Sequence, residues 1–101
     1  MKFQATNLTI SKEPEMFKTL TKVELTRPRY KKVDGKWETT GEDVFSMVAF
    51  GDVGAALMME GEGVVIDVEG AIKQRDYEAK NGKVYKNLDL IINEYTHATD
   101  D

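Results

Sequence analysis

Cysteine is absent from the 101 residues. That excludes disulfides, thiolate metal sites and cysteine nucleophiles, and it suits a reducing compartment. Histidine occurs once, as His97 near the C-terminus. A single imidazole without partners reads as a solvated residue, not as a ligand or base. Long apolar runs are missing too: stretches such as Val64-Val65-Ile66 are far too short to span a bilayer. The start, MKFQATNLTI, has one Lys and no apolar core, so it is not read as a signal peptide. The acids Glu60, Glu62, Asp67 and Glu69 follow no calcium-loop spacing. Gly61 and Gly63 lack the Lys-Ser/Thr and the helix start of a phosphate loop. The expectation is a soluble cytoplasmic protein, not an enzyme, with no cofactor, no metal and no membrane partner.

What is present is a patterned distribution of charge. The net charge is −4. Yet residues 17–37 hold seven basic residues against two acids, and residues 71–87 hold five against two. The rest of the chain holds two against fourteen. Such segments can present a local positive field on an acidic protein, because phosphate contacts act over short range in salt. Solvated loops would give the same clustering.

The chain has no repeat, low-complexity tract or linker, so one domain over 1–101 is expected, with a short acidic end at 97–101. Residues 19–26 read as a strand through Leu20, Val23 and Leu25. Residues 27–42 read as a loop or hairpin end, since Pro28 removes a ladder donor and Asp34-Gly35 is a tight-turn pair. Residues 44–50 are strand-like. A helix follows over 53–60, with Asp52 as its cap, Gly61 as its stop and Val53, Ala56, Leu57 and Glu60 as a stripe that could plug an apolar opening. Residues 63–80 alternate, with Gly70 marking a bend or bulge. Asn81-Gly82 is a hairpin signal, and the return over 84–96 puts Leu88, Leu90 and Ile92 on one face. Residues 3–10 form a weaker first strand. The expected fold is all-β with one short helix: a five-stranded OB-fold barrel with the helix between strands 3 and 4.

Several pieces in order resemble the bacterial-type single-stranded DNA-binding protein family. They are Asp34-Gly35-Lys36-Trp37, the strand Val44 to Phe50 with Gly51, Glu60-Gly61-Glu62-Gly63 followed by Val64-Val65-Ile66-Asp67-Val68-Glu69-Gly70, and Lys73-Gln74-Arg75-Asp76-Tyr77. In that family an apolar strand ends in an aromatic-Gly pair, a short helix follows, and a later strand carries cations and an aromatic. The match covers about half the chain, and more loosely the part from Asn7 to Arg29. Val44 stands where the family usually has an aromatic, and the helix is short. The apolar tip by which many members recruit replication proteins is not seen. These departures suit a phage or plasmid member.

The resemblance implies non-sequence-specific binding of single-stranded DNA in replication, recombination or repair, and assembly as a homotetramer or homodimer. Single-strand binding needs flat surfaces for bases and cations for phosphates. The expected DNA-binding aromatics are Tyr30, Trp37, Phe50, Tyr77 and Tyr85. The expected cations are Arg27, Arg29, Lys31, Lys32 and Lys36 in the first basic segment, and Lys73, Arg75, Lys83 and Lys86 in the second. Lys73, Arg75 and Tyr77 share a strand face by the two-residue period. Phe50 is open between core and platform, as one of Phe45 and Phe50 belongs to the core. Trp37 is open between capping the barrel end and stacking. Tyr85 and Tyr95 are expected to face outward, with Tyr95 available to an interface. The alternative functions are an OB-fold protein-interaction module, as in primosome assembly, and RNA binding.

Overall fold

The computed structural model describes residues 1–98. Of the expected acidic end at 97–101, residues 99–101 lie outside the described residues. Among the described residues there are six strands and one helix: β1 (Lys2–Ile10), β2 (Glu15–Phe17), β3 (Leu20–Val33), β4 (Lys36–Phe50), α1 (Gly51–Met58), β5 (Val65–Glu78) and β6 (Val84–His97). They form one sheet in the order β1-β5-β6-β4-β3-β2, and β1 also pairs with β3, which closes a ring of hydrogen-bonded strands. The closure is narrow: Thr9 and Ile10 pair with Thr26 and Leu25, and Met47 and Val48 run parallel to Leu90 and Ile91. The sixth strand, β2, was not expected. It folds back on β3 through the register Phe17↔Leu20. The helix joins β4 to β5, because β2 adds one to the strand count.

The ring encloses the core. Leu8, Ile10, Val23, Leu25, Met47, Ala49, Ile66, Val68 and Ile92 are buried, and Leu57 of α1 is buried with them. The helix approaches closely because Gly54 has no side chain. A Cβ there would sit 2.9 Å from the Thr21 hydroxyl and 3.0 Å from the Ala49 carbonyl oxygen. That hydroxyl donates to the Gly54 carbonyl at 3.1 Å inside the protein. Such a bond satisfies a polar group that would otherwise be costly to bury. The expected cap is corrected: Phe50 holds the N-cap position without a side-chain bond, and Asp52 lies in the first turn, where a carboxylate favours the helix dipole.

Of the two readings of residues 27–42, loop or hairpin end, the structure has the hairpin end. β3 and β4 continue as a two-stranded arm to the Asp34-Gly35 turn, both residues of which have positive φ. Beyond Thr26, β3 has β4 as its one neighbour among the described residues, so Pro28 stands where a missing donor is tolerated. The β5–β6 hairpin extends likewise to Asn81-Gly82. These arms stretch the molecule to 51 Å and raise the radius of gyration to 15.8 Å. A compact chain of this length would have about 13 Å. Among the described residues no helix is long and apolar enough to cross a membrane.

Two outward-inward assignments on β6 change. Leu88 is 69% exposed, because it lies on the arm beyond the closed ring. Gly70 does mark a bulge: the register steps from Glu69↔Glu94 to Gly70↔Ile92, which leaves Asn93 extra on β6. The extra residue inverts the alternation, so Ile92 and Tyr95 both turn inward. Tyr95 therefore packs against the core and is not an outward interface residue. Its hydroxyl donates to Glu60 Oε1 at 3.1 Å, and His97 Nε2 lies 2.9 Å from the same oxygen. Burial, with the Glu60 bond and charge behind it, pushes the Tyr95 phenol above its ordinary pKa.

Candidate nucleic-acid interface

Residues paired directly across strands share a face, and residues two apart along a strand share it too. The core face holds Val23, Leu25, Met47, Ala49, Ile66 and Val68. The opposite, outer face can be followed from strand to strand by register. It carries Phe17 on β2, then Leu20, Lys22, Tyr30 and Lys32 on β3. On β4 it carries Phe50 and Val48 and, past a bulge at Thr40, Trp37. Val48 is opposite Ile91, and Ile91 is opposite Ala71. From there the face continues along the second arm as Lys73, Arg75 and Tyr77 on β5, facing Asp89, Asn87 and Tyr85 on β6. The ring thus brings Lys22 and Lys32 of the first basic segment and Lys73 and Arg75 of the second, far apart in sequence, onto one surface.

All five expected aromatics are exposed on it. Phe50 is 47% exposed, which decides between core and platform in favour of the surface. Phe45, of opposite phase, packs against the core. Trp37 is 70% exposed and does not cap the ring. It lies diagonally across the first arm from Tyr30, and the two rings line an apolar cleft. Tyr77 and Tyr85 stand directly opposite each other. A cross-strand aromatic pair of this kind offers two adjacent flat surfaces.

The expected cations divide between faces. Lys32, Lys73 and Arg75 share the outer face with the aromatics. Arg27, Arg29 and Lys31 lie in phase with Val23 and Leu25, on the other face of the first arm, and Lys36 pairs with Val33 there. Lys86 is opposite Asp76, on the far face of the second arm, and Lys83 sits beside the Asn81-Gly82 turn. Two arginines have acidic neighbours: Arg29 Nε is 3.3 Å from Asp43, and Arg75 Nε is 3.4 Å from Asp89. All four side chains are more than one-third exposed, so these bridges are weak and a phosphate can exchange for the carboxylate. The Ser11 hydroxyl holds the Glu24 carboxyl below the usual range; desolvation opposes this and Lys12 supports it. Glu24 is therefore a fixed negative charge bordering Lys22.

Sequence reasoning missed Phe17, and it took in Lys22 only as part of the first basic segment. Neither lies in a motif of the resemblance; the available signal was an aromatic in the run Glu15-Met16-Phe17-Lys18-Thr19, whose charges make a poor setting for a core residue.

No protein-family model matches the sequence, nor does any curated protein. The fold, however, is shared with solved structures of single-stranded DNA-binding proteins. The small single-stranded DNA-binding protein from Streptomyces coelicolor aligns over 96% of this chain and 93% of its own, with a TM-score of 0.70 and 14% identity. The mitochondrial single-stranded DNA-binding protein from S. cerevisiae aligns over 100% of this chain and 97% of its own, with a TM-score of 0.63 and 14% identity. At this identity the likeness is one of fold.

Proposed function

We propose that the protein is an OB-fold binder of single-stranded DNA without sequence preference, acting in replication or recombination in the cytoplasm. The observation that carries this is the outer face of the second arm, where Tyr77 and Tyr85 are paired and Lys73 and Arg75 lie on the same side. Stacking on aromatics with nearby cations suits any base, since every base has a π-face. The fold shared with two single-stranded DNA-binding proteins supports the same reading. On this reading the protein acts by binding and not as an enzyme.

A mobility-shift assay with matched single-stranded DNA, RNA and duplex probes tests this. Single-stranded DNA should bind in preference to duplex. If Lys22, Lys32, Lys73 and Arg75 each meet a phosphate, the log–log salt dependence should have a slope of about −2.8, at roughly −0.7 per contact. Equal affinity for duplex, or affinity indifferent to salt, would overturn the reading. Preference for RNA would move the same face to the RNA alternative, and no binding at all would leave the assembly-module alternative.

Self-association belongs to the same proposal. β1 pairs with β5 along one edge, while its other edge meets β3 at Thr9 and Ile10 alone among the described residues. Backbone groups along the open edge are available to a second copy. Val84 and Leu88, exposed on the far face of the second arm, offer apolar surface as well. Light scattering should therefore give a dimer or tetramer; a monomer mass near 11.4 kDa at micromolar concentration would count against it.

A further inference from the structure

Phe17 closes a short edge hairpin for which the core supplies no reason. The turn places Lys18 at φ 57, a left-handed conformation uncommon for a residue with a side chain. The two lysines beside it converge on the aromatic ring: Lys22 Nζ lies 5.2 Å and Lys18 Nζ 5.7 Å from the Phe17 centroid. Phe17 is 55% exposed. An exposed ring with two ammonium groups over it combines a π-face with positive charge in one place.

Its position in the sheet extends that pairing. Phe17 is opposite Leu20, and Leu20 is opposite Phe50. Phe17 and Phe50 thus stand on the same face, two strand spacings apart, or roughly 10 Å between backbones. Leu20 fills the space between them and is itself partly buried. The row ends at β2, the last strand of the sheet order.

We propose that Phe17, with Lys18 and Lys22, is a further nucleotide-stacking position that carries the single strand past Phe50 to the edge of the sheet. The occupant is one base stacked on the ring, with the two ammonium groups moving off the ring to its phosphate. A neutral apolar partner would gain nothing from the two lysines, whereas a nucleotide uses both the ring and the charge. This inference rests on the proposed function.

The test is poly-thymidine binding by Phe17→Ala, Phe17→Leu and Phe17→Tyr, with melting followed alongside. The Ala and Leu variants should bind at least about fivefold more weakly, on the scale of base–aromatic stacking. The Tyr variant should restore binding, since it restores the π-face. All three should melt near the wild type, because the side chain is exposed. Phe17→Leu binding as well as the wild type would overturn the inference, as apolar bulk alone would then suffice. So would normal binding by Phe17→Ala while Tyr77→Ala is weakened, which leaves the proposed function standing. A wild-type protein that binds no single-stranded nucleic acid removes both.

Discussion

Tyr77→Ala is expected to weaken binding to single-stranded DNA by about five- to a hundredfold, since a base stacked on an aromatic is typically worth ~1–3 kcal/mol. The thermal midpoint should scarcely move. Tyr77 is 56% exposed and lies on the arm, beyond the residues that enclose the core. An aromatic that packed the interior would instead cost about 3–5 kcal/mol on truncation to Ala. The two measurements together separate recognition from stability. Its partner Tyr85, directly opposite, keeps half of the stacking surface in the single variant, so the loss should be partial. A Tyr77→Ala protein that binds normally and melts several degrees lower would remove the centre of the proposed site.

Gly70→Ala should produce the largest loss of stability. A Cβ at this position would run into the Ile91 carbonyl oxygen and stand 2.8 Å from both the carbonyl carbon and the Phe3 ring. The first obstacle is backbone, which cannot rotate aside as a side chain can. Overpacking of this kind costs about 3 kcal/mol or more. For a domain of this size that is a fall in Tm of about 12–24 °C. The comparison is Gly82→Ala in the β5–β6 turn, where φ is +82 but nothing lies within 4 Å. That change should cost only about 1 kcal/mol, the penalty of a left-handed backbone. Melting by circular dichroism decides it: equal midpoints for the two variants would mean that β5 and β6 do not cross at Gly70 as described.

The functional consequence of Gly70 is register. The bulge there leaves Asn93 unpaired and turns Tyr95 from the outer face to the inner one. Without it, Tyr95 would compete for the outer surface and lose its bond to Glu60. A bulge can be suspected from a glycine in a strand, but which strand takes the extra residue depends on the partner. The sequence therefore flagged Gly70 and still misplaced Tyr95.

The arms show a second limit. Alternation of apolar and polar residues is a record of burial on one side. Residues 27–42 have little alternation because neither side of that arm is covered by the core. The backbone ladder to the partner strand, with exposed cross-strand contacts such as Arg29–Asp43, holds them extended, and a ladder leaves little mark on side-chain choice. The turn at its tip was legible all the same, because Asp34-Gly35 must adopt positive φ.

Determined by the sequence alone are the predominance of strands, the short Ala- and Met-rich helix, both tight turns and the two basic segments with Tyr30, Trp37, Tyr77 and Tyr85 in or beside them. These follow from local chemistry: two-residue periodicity, turn preferences and residue type act over a few neighbours. Only the tertiary structure decided which of those residues act together. Strand pairing carried Phe17, Phe50 and Lys22 onto the face of Tyr77 and Tyr85, and it turned Arg27, Arg29, Lys31 and Lys86 to the other side. The physical reason is that a face is fixed by register between strands distant in the chain, and one extra residue in either partner inverts it.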